Sequence, residues 1–592
     1  MTVNDKISAL RELMKENNIQ AYIIPSTDPH MSEYVADFWE SRKWISGFTG
    51  SAGTVVVTIE ESGLWTDGRY YLQGEQQLEG TEMKLFKQGM TDVPNFDEWL
   101  TQVLKPGDIV GVDARVYSVS AYTTLKKKLS KSDLKVDGSN DFIKQIWTDR
   151  PLMPMTEAYI LEEKYAGKSI SDKIDEIRAT FKPKDINSHL VATLDDIAWI
   201  LNLRGSDVSY NPVTIAYLLI EESLTTLFIK RSKLSEEAKE ILNNNNIEIK
   251  SYKAIESYLK LNIIGTNCLI DPDRINQKVY GWIKKKNNIV KAVNPSTFLK
   301  SQKNKIEVEN IKNAMRKDGI AMTKFLYWID NNVVSGNITE VGIAEKLIEL
   351  RSEQEGFVGE SFSTIAGYRD NGAIIHYFAT PETSKTLEPS SFVLVDSGAQ
   401  YYDGTTDLTR TIPLGPLTDE EKRDYTLVLK GHIQLALARF PEGTRGCQLD
   451  TLARQSLLRE GLNYHHGTGH GVGFFLNVHE GPHSIRPEEN PNPILENSIV
   501  SNEPGLYRAG KHGIRIENLV VTNKWQETEF GKFFEFETVT LCPIDKRPIV
   551  EELLLDEETK WLNEYHTLVL NKISPSLEGE ELEWLKNATE EI

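Results

Sequence analysis

Five side chains that could bind metal ions lie in three short segments between Phe392 and Glu517. They are two aspartates, one histidine and two glutamates, in the chain order Asp396, Asp407, His470, Glu503 and Glu517. Four carboxylates with a single imidazole form an oxygen-rich donor set, which suits harder divalent cations such as manganese better than cations that prefer thiolates. Two bridging carboxylates and three terminal groups can hold two cations about 3.5 to 4 Å apart, an arrangement that activates a water molecule between them.

The local sequence around these side chains predicts the elements that hold them. An apolar strand carries Asp396, an Asp403-Gly404 turn follows, and a threonine-rich returning strand carries Asp407. This hairpin should bring the two aspartates onto neighbouring strands. The segment around His470 is too rich in glycine for a helix, so a tight ribbon is expected there.

Together, the three segments resemble the catalytic domain of the pita-bread metallopeptidases, the family of methionine aminopeptidase, prolidase and aminopeptidase P. The resemblance implies that the five side chains bind two divalent metal ions, with Mn²⁺ as the expected metal, and none of the five is substituted. It also implies roles for His376, His466 and His479, which match family histidines around the scissile bond. Imidazoles there position the substrate carbonyl, donate hydrogen bonds to the developing oxyanion or assist the leaving nitrogen.

The reaction that the resemblance implies is metal-assisted peptide hydrolysis. A hydroxide that bridges the two cations attacks the first carbonyl of a peptide, and Glu503, which is also a ligand, accepts the proton of the water. His376 and His479 bind the substrate and stabilise the tetrahedral state. Arg410 and Arg515 are expected to orient the ligand carboxylates from behind.

The N-terminal half of the chain contains an internal duplication. The run that begins at Trp44, with the strand after it, returns about 155 to 161 positions later in the run that begins at Trp199. A repeat of this length indicates two tandem α/β domains rather than a solenoid. The second copy has lost the glycine-rich loop and the Trp65-Thr-Asp-Gly-Arg69 turn of the first.

Two roles are open for Arg69. It could pair with a surface carboxylate, or it could bind substrate, because a matching arginine in the first domain of long, three-domain aminopeptidases P belongs to the substrate site. The turn that contains Arg69, the two creatinase-like N-terminal domains and the C-terminal runs from Cys542 and Trp561 all resemble that type. Substrate binding is therefore the role that the resemblance implies for Arg69.

The resemblance covers nearly the whole chain of 592 residues and predicts its domains. The expected fold is a multidomain α/β and α+β one, with creatinase-like α/β domains at 1–150 and 151–303, a pita-bread catalytic domain at 304–545 and a C-terminal extension at 546–592 packed on it. A long amphipathic helix with core-facing methionines should begin at Lys305. A capping box from Thr418 to Glu421 should start another helix that runs through Phe440.

Composition and patterning exclude several classes of protein. The net charge is −20 and no block of lysine or arginine is long enough to follow a phosphate backbone, so nucleic acid is not an expected partner. The N-terminus has helical periodicity rather than the pattern of a signal peptide, and no apolar run could cross a bilayer. Three widely spaced cysteines fit a reducing compartment. We therefore expect a cytoplasmic protein with no membrane partner and, by analogy with long family members, a homodimer.

The expected function is removal of the N-terminal residue from Xaa-Pro-Yaa peptides by a dinuclear-metal aminopeptidase. The preference for a penultimate proline is implied by the resemblance alone. Two alternatives stay open. A prolidase would cleave only Xaa-Pro dipeptides and fail on longer peptides, and a non-catalytic peptide-binding scaffold on the same fold would not need an intact set of five metal ligands.

Overall fold

A computed structural model describes the whole chain, residues 1–592, as two units. The first unit comprises Met1–Glu162 and Lys168–Thr297, and the second comprises Glu163–Gly167 and Phe298–Ile592. The two predicted N-terminal domains thus share the first unit, and the predicted catalytic domain and C-terminal extension share the second. The finer domain bounds given above stay predictions.

Each half of the first unit is built on a six-stranded sheet. Numbered along the chain, the first half has the strands Ala21–Pro25, Thr54–Thr58, Ser62–Thr66, Lys84–Lys87, Ile109–Val112 and Lys135–Asp137, and the second half has Ser188–Val191, Ala216–Glu221, Thr225–Ile229, Ile247–Lys250, Asn267–Ile270 and Asn288–Lys291. Both sheets have the order fourth, third, second, first, fifth, sixth. In both sheets the second strand pairs antiparallel with the first and with the third, and all other neighbouring strands pair parallel. The shared topology confirms the internal duplication.

Helices cover the two sheets of the first unit. They are Val3–Glu16, Ser41–Ser46, Tyr71–Leu78, Phe96–Val103, Val119–Leu129, Ile143–Ile146, Ile170–Ala179, Leu194–Ile200, Glu236–Asn244, Ile255–Asn262 and Gln277–Ile283. The first of them shows why the sequence pattern predicts a helix: Thr2 caps it, and Ile7, Leu10 and Met14 are buried at spacings of three and four residues.

The second unit contains the sheets that carry the candidate metal ligands. Its strands form two three-stranded sheets (Ile365–Tyr368, Phe392–Ser397 and Leu408–Pro413; Phe357–Glu360, Ala399–Tyr401 and Gly404–Thr405), one six-stranded sheet (Arg439–Pro441, Gly531–Thr538, Asn518–Thr528, Ile499–Asn502, Gly469–Gly471 and Glu480–Ile485) and a hairpin of Gly505–Arg508 with His512–Arg515. Its main helices are Lys305–Asn332, Glu340–Ser352, Asp419–Ala436, Gly446–Leu458, Asp556–Ile573 and Gly579–Ala588.

The helix Lys305–Asn332 forms one wall of the second unit. Asn304 caps it in a capping box with Glu307, and Met315 and Met322 are fully buried, which confirms that these methionines are core residues. Burial of each such side chain stabilises the fold by roughly 1.5 to 3 kcal/mol. At the other end of the chain, Leu562 and Val569 pack with the helix Asp419–Ala436, so the C-terminal helices complete this core.

Two local predictions in the second unit are wrong. The capping box at Thr418 is present, but its helix ends at Ala436, because Phe440 lies in a short strand and packs against Phe534 and Phe536 of the six-stranded sheet. The turn between the aspartate-bearing strands is Tyr402-Asp403 rather than Asp403-Gly404, since Tyr401 pairs with Gly404. The Asp403 carboxylate holds this turn by an ion pair with Lys317, 2.8 Å away.

None of the helices combines the length and the apolar character that crossing a bilayer requires.

Candidate metal centre

The hairpin between Phe392 and Pro413 holds the two aspartates. Its strands pair antiparallel with Asp396 opposite Thr409, and Asp407 directly precedes the returning strand. The chain between them is closely packed at Gly398, where an added Cβ would lie 2.0 Å from the carbonyl oxygen of Thr406. Glycine at this position therefore allows the backbone to approach and bring the two carboxylates to the same place.

The other three predicted ligands come from the adjoining sheet and its loops. His470 lies in the short strand Gly469–Gly471, Glu503 follows the strand that ends at Asn502, and Glu517 donates its backbone N–H to Thr409 O at 3.1 Å. Ligand atoms of Asp407, His470 and Glu517 lie within 4.8 Å of one another. Nε2 of His470 is 3.5 Å from Oδ2 of Asp407 and 3.7 Å from Oε1 of Glu503, so four of the five predicted ligands form one cluster.

Asp396 joins this cluster through Arg515 and Thr409. Nη2 of Arg515 donates to Oδ2 of Asp396 at 2.6 Å, and Nε donates to Oγ1 of Thr409 at 3.2 Å. The Thr409 hydroxyl in turn donates to Oε2 of Glu517 at 2.7 Å. Oδ1 of Asp396 is buried and has no hydrogen-bond partner in the protein. A buried carboxylate oxygen of this kind needs a cation or another donor, so the residues fit a metal site.

The electrostatics of the cluster lead to the same conclusion. Burial raises the pKa of Glu503 to about 7, and burial with the neighbouring carboxylates raises the pKa of Glu517 well above its ordinary value. Burial lowers the pKa of His470, but Asp407 and Glu503 outweigh it and raise that pKa to about 9. Several buried carboxylates repel one another unless protons or cations neutralise them. A donor set of this kind suits divalent cations.

Two of the three predicted histidines lie beside the cluster. The His479 ring packs edge-on against the His470 ring, with centroids 4.4 Å apart. Nδ1 of His466 is 3.9 Å from Oε2 of Glu503, and Nε2 of His466 is 2.9 Å from the Tyr507 hydroxyl. Both imidazoles therefore flank the predicted ligands His470 and Glu503.

His376 approaches the site through its neighbour in the chain. It lies in a turn after the 3₁₀ helix Arg369–Ala373, within an irregular segment. The carbonyl of Ile375 accepts from Nη2 of Arg515 at 3.5 Å, and the same atom of Arg515 binds Asp396. The backbone at His376 therefore lies against the residue that orients a predicted ligand.

The two predicted supporting arginines differ in what they contact. Arg515 binds the carboxylate of Asp396, which is a predicted ligand. Arg410 is fully buried but donates to the backbone carbonyl of Glu517 at 2.7 Å and to the carbonyls of Cys542 and Pro543, not to the carboxylate of a predicted ligand. Arg410 therefore anchors the main chain that carries Glu517 and ties it to the segment that leads to the C-terminal helices.

Arg69 lies in the first unit and forms a close pair with Asp67. Its Nε and Nη2 atoms donate to the two carboxylate oxygens at 2.8 and 2.7 Å, and 28% of its side chain is exposed. Burial lowers and Asp67 raises the pKa of the Arg69 guanidinium, with a net increase. Arg69 therefore has a carboxylate partner, and this geometry leaves both of its predicted roles open.

Thr409 and Tyr507 contact the site but were not predicted from the sequence. Thr409 lies two residues after Asp407, and residues at this spacing point to the same face of a strand, so alternation could have identified it. The Tyr507 hydroxyl accepts from Nη1 of Arg515 at 2.6 Å and contacts His466. The contacts of Tyr507 become visible only in the folded hairpin of Gly505–Arg508 with His512–Arg515.

Comparison with known families matches four segments that together make up most of the chain. Residues 309–524 match the model of metallopeptidase family M24, and residues 532–592 match the C-terminal region of that peptidase family. Residues 6–145 and 149–307 each match a Creatinase/Prolidase N-terminal domain. These matches confirm the predicted order of two creatinase-type domains followed by a pita-bread catalytic domain.

Individual relatives match over the whole chain. A probable Xaa-Pro aminopeptidase P of Botryotinia fuckeliana is 40% identical, covering 100% of this chain and 93% of the relative, and aminopeptidase P2 of Arabidopsis thaliana is 41% identical, covering 100% and 88%. The crystal structure of X-prolyl aminopeptidase from Caenorhabditis elegans, a cytosolic enzyme with a di-nuclear active site, covers 100% of both chains with a TM-score of 0.96 at 34% identity. The chain belongs to metallopeptidase family M24 and, within it, to the long, three-domain Xaa-Pro aminopeptidases.

Proposed function

We propose that this chain is a dinuclear-metal aminopeptidase that hydrolyses the bond between an N-terminal residue and a penultimate proline. The observation that carries the proposal is the convergence of five acidic and imidazole side chains from distant segments into one buried cluster. A peptide-binding scaffold would have no use for such a cluster, because four carboxylates held together without cations cost stability. The end-to-end likeness to Xaa-Pro aminopeptidases gives the substrate class, peptides with a penultimate proline.

The proposed metal ligands are Asp396, Asp407, His470, Glu503 and Glu517, and the proposed metals are two Mn²⁺ ions. Four carboxylates and one imidazole favour a cation that accepts oxygen donors. Two cations bound there would supply Lewis-acid polarisation of the scissile carbonyl and would lower the pKa of a water molecule. The orphan oxygen of Asp396 is a donor atom that this arrangement would use.

The exposure of the side chains indicates the side from which substrate enters. His470 and Glu503 keep 20% and 18% of their side chains exposed, whereas Asp407 keeps 5%. A peptide therefore approaches over His470 and Glu503, where His466 and His479 also lie. Glu503 is placed to accept a proton from the attacking water and to return it to the leaving nitrogen.

The histidines that flank this entrance have separate tasks. His479 and His376 donate hydrogen bonds to the carbonyl oxygen of the substrate as negative charge develops on it. The His479 ring packs edge-on against His470. His466 is held by Tyr507 and assists proton transfer near Glu503. Arg515 keeps the Asp396 carboxylate in its orientation through each turnover.

The remaining parts of the proposal concern the whole protein. Arg69 of the first creatinase-type domain binds substrate, and its replacement by alanine should raise KM while it leaves metal content unchanged. The protein is cytoplasmic and a homodimer, supported by the description of the Caenorhabditis elegans relative as cytosolic and by analogy with long family members. The proposed domains are 1–150, 151–303, 304–545 and 546–592.

Hydrolysis of two peptides tests the function. Wild type, Glu503→Gln and the exposed control Glu488→Gln are incubated with Arg-Pro-Pro-Gly-Phe and with Arg-Pro, with added Mn²⁺ or with chelator. Release of the first arginine from the pentapeptide by wild type and Glu488→Gln, lost with chelator and reduced about 10²- to 10⁴-fold in Glu503→Gln, is the expected result. Cleavage of the dipeptide alone would establish a prolidase, and metal binding without cleavage would establish a scaffold.

A further inference from the structure

The segment that carries His376 has little regular structure of its own. After the strand Ile365–Tyr368 the chain makes one 3₁₀ helix, Arg369–Ala373, and then no helix or named strand until Phe392. At its far end the segment pairs with the chain around Thr339 through two backbone hydrogen bonds, Glu340 N–H to Lys385 O and Leu387 N–H to Ile338 O. Side-chain contacts must hold the part around His376. A single carboxylate from outside the segment accepts five hydrogen bonds from it and from the end of the strand before it.

That carboxylate belongs to Glu340, the first residue of the helix Glu340–Ser352, and it is completely buried. It accepts hydrogen bonds from backbone and side-chain groups along the segment: Tyr368 N at 2.7 Å, Asn371 Nδ2 at 2.9 and 3.0 Å, Tyr377 OH at 3.0 Å and Lys385 N at 2.8 Å. An ionised carboxylate accepts only, and every partner here donates. Bonds of this kind to a charged acceptor are stronger than bonds between neutral groups.

The far side of the same segment is fixed at the metal centre. Ile375 O faces Arg515, and Gly372 packs so closely on Gly513 that a Cβ on Gly513 would lie 1.7 Å from the carbonyl oxygen of Gly372. Tyr377, which bonds Glu340, is the next residue after His376. His376 therefore lies between a contact with the arginine of the metal centre and a contact with the buried carboxylate.

We propose that Glu340 is a positioning residue for His376. It does not touch the predicted substrate position; it clamps both ends of the segment so that the imidazole of His376 stays where the substrate carbonyl must bind. The inference rests on the proposed function, in which His376 binds the carbonyl. Replacement by glutamine keeps the size of the side chain but presents an N–H to a nest of donors, so the clamp opens.

A double-mutant cycle tests this role. Glu340→Gln is measured alone and together with His376→Ala, with the exposed Glu345→Gln of the same helix as the matched control. Glu340→Gln should lower kcat up to about 100-fold in the wild-type background, because a small misplacement of a catalytic group costs this much, and less than 2-fold once His376 is absent. Metal content should stay equal to that of wild type. Equal losses of kcat in both backgrounds would overturn the proposal.

A second variant and a readout other than activity keep the test decisive. If Glu340→Gln does not fold, Tyr377→Phe removes one donor, leaves the charge in place and enters the same cycle with a smaller expected loss. Hydrogen exchange at the amides of Tyr368 and Lys385 should quicken in Glu340→Gln and not in Glu345→Gln. Unchanged exchange would refute the clamp even in an active enzyme, whereas absence of peptide cleavage by wild type would refute the proposed function alone.

Discussion

Arg515 and Asp396 form a buried ion pair, with Nη2 of the arginine 2.6 Å from Oδ2 of the aspartate. The pair occupies one oxygen of Asp396 and leaves the other, Oδ1, without a protein partner. The guanidinium also binds Thr409 and Tyr507, which fixes its own plane. The arginine therefore holds Oδ2 of Asp396 and leaves Oδ1 to face the predicted cation site, which is how partners behind metal ligands generally act.

Loss of this arginine should weaken the metal centre without unfolding the protein's hairpin. We expect Arg515→Met to reduce metal affinity or kcat/KM by about 10- to 100-fold, the usual effect of removing a partner behind a ligand. The metal affinity of Arg515→Lys should lie between those of wild type and Arg515→Met, because lysine keeps the charge but not the fork of donors. Calorimetric titration with Mn²⁺ measures the affinity. The exposed Arg459→Met serves as the control, and an unchanged affinity in Arg515→Met would contradict the assigned role.

An added methyl group at Gly398 should disrupt the metal centre. A Cβ there would meet the Thr406 carbonyl at 2.0 Å and Ser361 Oγ at 2.3 Å, and backbone cannot yield as a flexible side chain does. Gly398→Ala should therefore shift Asp407 away from Asp396 and reduce bound metal to below one ion per chain. In Gly359→Ala, by contrast, the new Cβ has nothing within 4 Å. Metal analysis of the two variants side by side is the test, and full metal content in Gly398→Ala would show that the hairpin adapts.

The residues of the cluster could be picked out from the sequence because each lies in a short segment with its own turn or glycine signal. The elements around Asp396 and the capping box at Thr418 are local patterns of the same kind. The roles of Arg410 and Tyr507 could not be predicted. Arg410 meets Cys542 and Pro543 more than 130 positions away, and no periodicity in the chain encodes which carbonyls a buried guanidinium will reach.

Contacts with distant parts of the chain decide two features that local sequence patterns do not reveal. The predicted helix from Thr418 ends before Phe440, because this aromatic ring is stabilised better by Phe534 and Phe536 of the sheet than by one more helical turn. The role of Glu340 depends on distant contacts in the same way. In the sequence it is an ordinary first-turn glutamate, and only the irregular chain packed over it supplies its five hydrogen bonds.

Metal uptake should release protons. In the metal-free protein the pKa of Glu503 is about 7 and that of His470 about 9, so both groups carry protons over much of the range below these values. A cation must displace those protons, and its affinity should therefore rise with pH and fall as the pH drops below 7. Calorimetry at pH 6.0 in two buffers of different ionisation enthalpy counts the protons. Identical apparent enthalpies in the two buffers would mean that no proton is released and that both groups are already deprotonated.

Lys303 and Glu480 form a second buried ion pair, and its disruption should destabilise the fold far more than loss of a surface pair. The two side chains are 1% and 3% exposed, and Glu480 is the neighbour of His479. Lys303→Met leaves the Glu480 charge buried with Lys300 3.9 Å away as its nearest remaining cation, so we expect a loss of about 3 to 5 kcal/mol in the free energy of unfolding.

The matched control for this pair is Lys312→Met, which breaks the half-exposed pair with Glu537 and should cost less than about 1 kcal/mol. Urea denaturation measures the free energy of unfolding of both variants. The double variant Lys303→Met with Glu480→Gln should recover part of the loss, because it removes the unpaired charge along with its partner. A double variant that is as unstable as the sum of the two single ones would show that each residue acts through packing rather than through the ion pair, and His479 would then owe its position to the sheet alone.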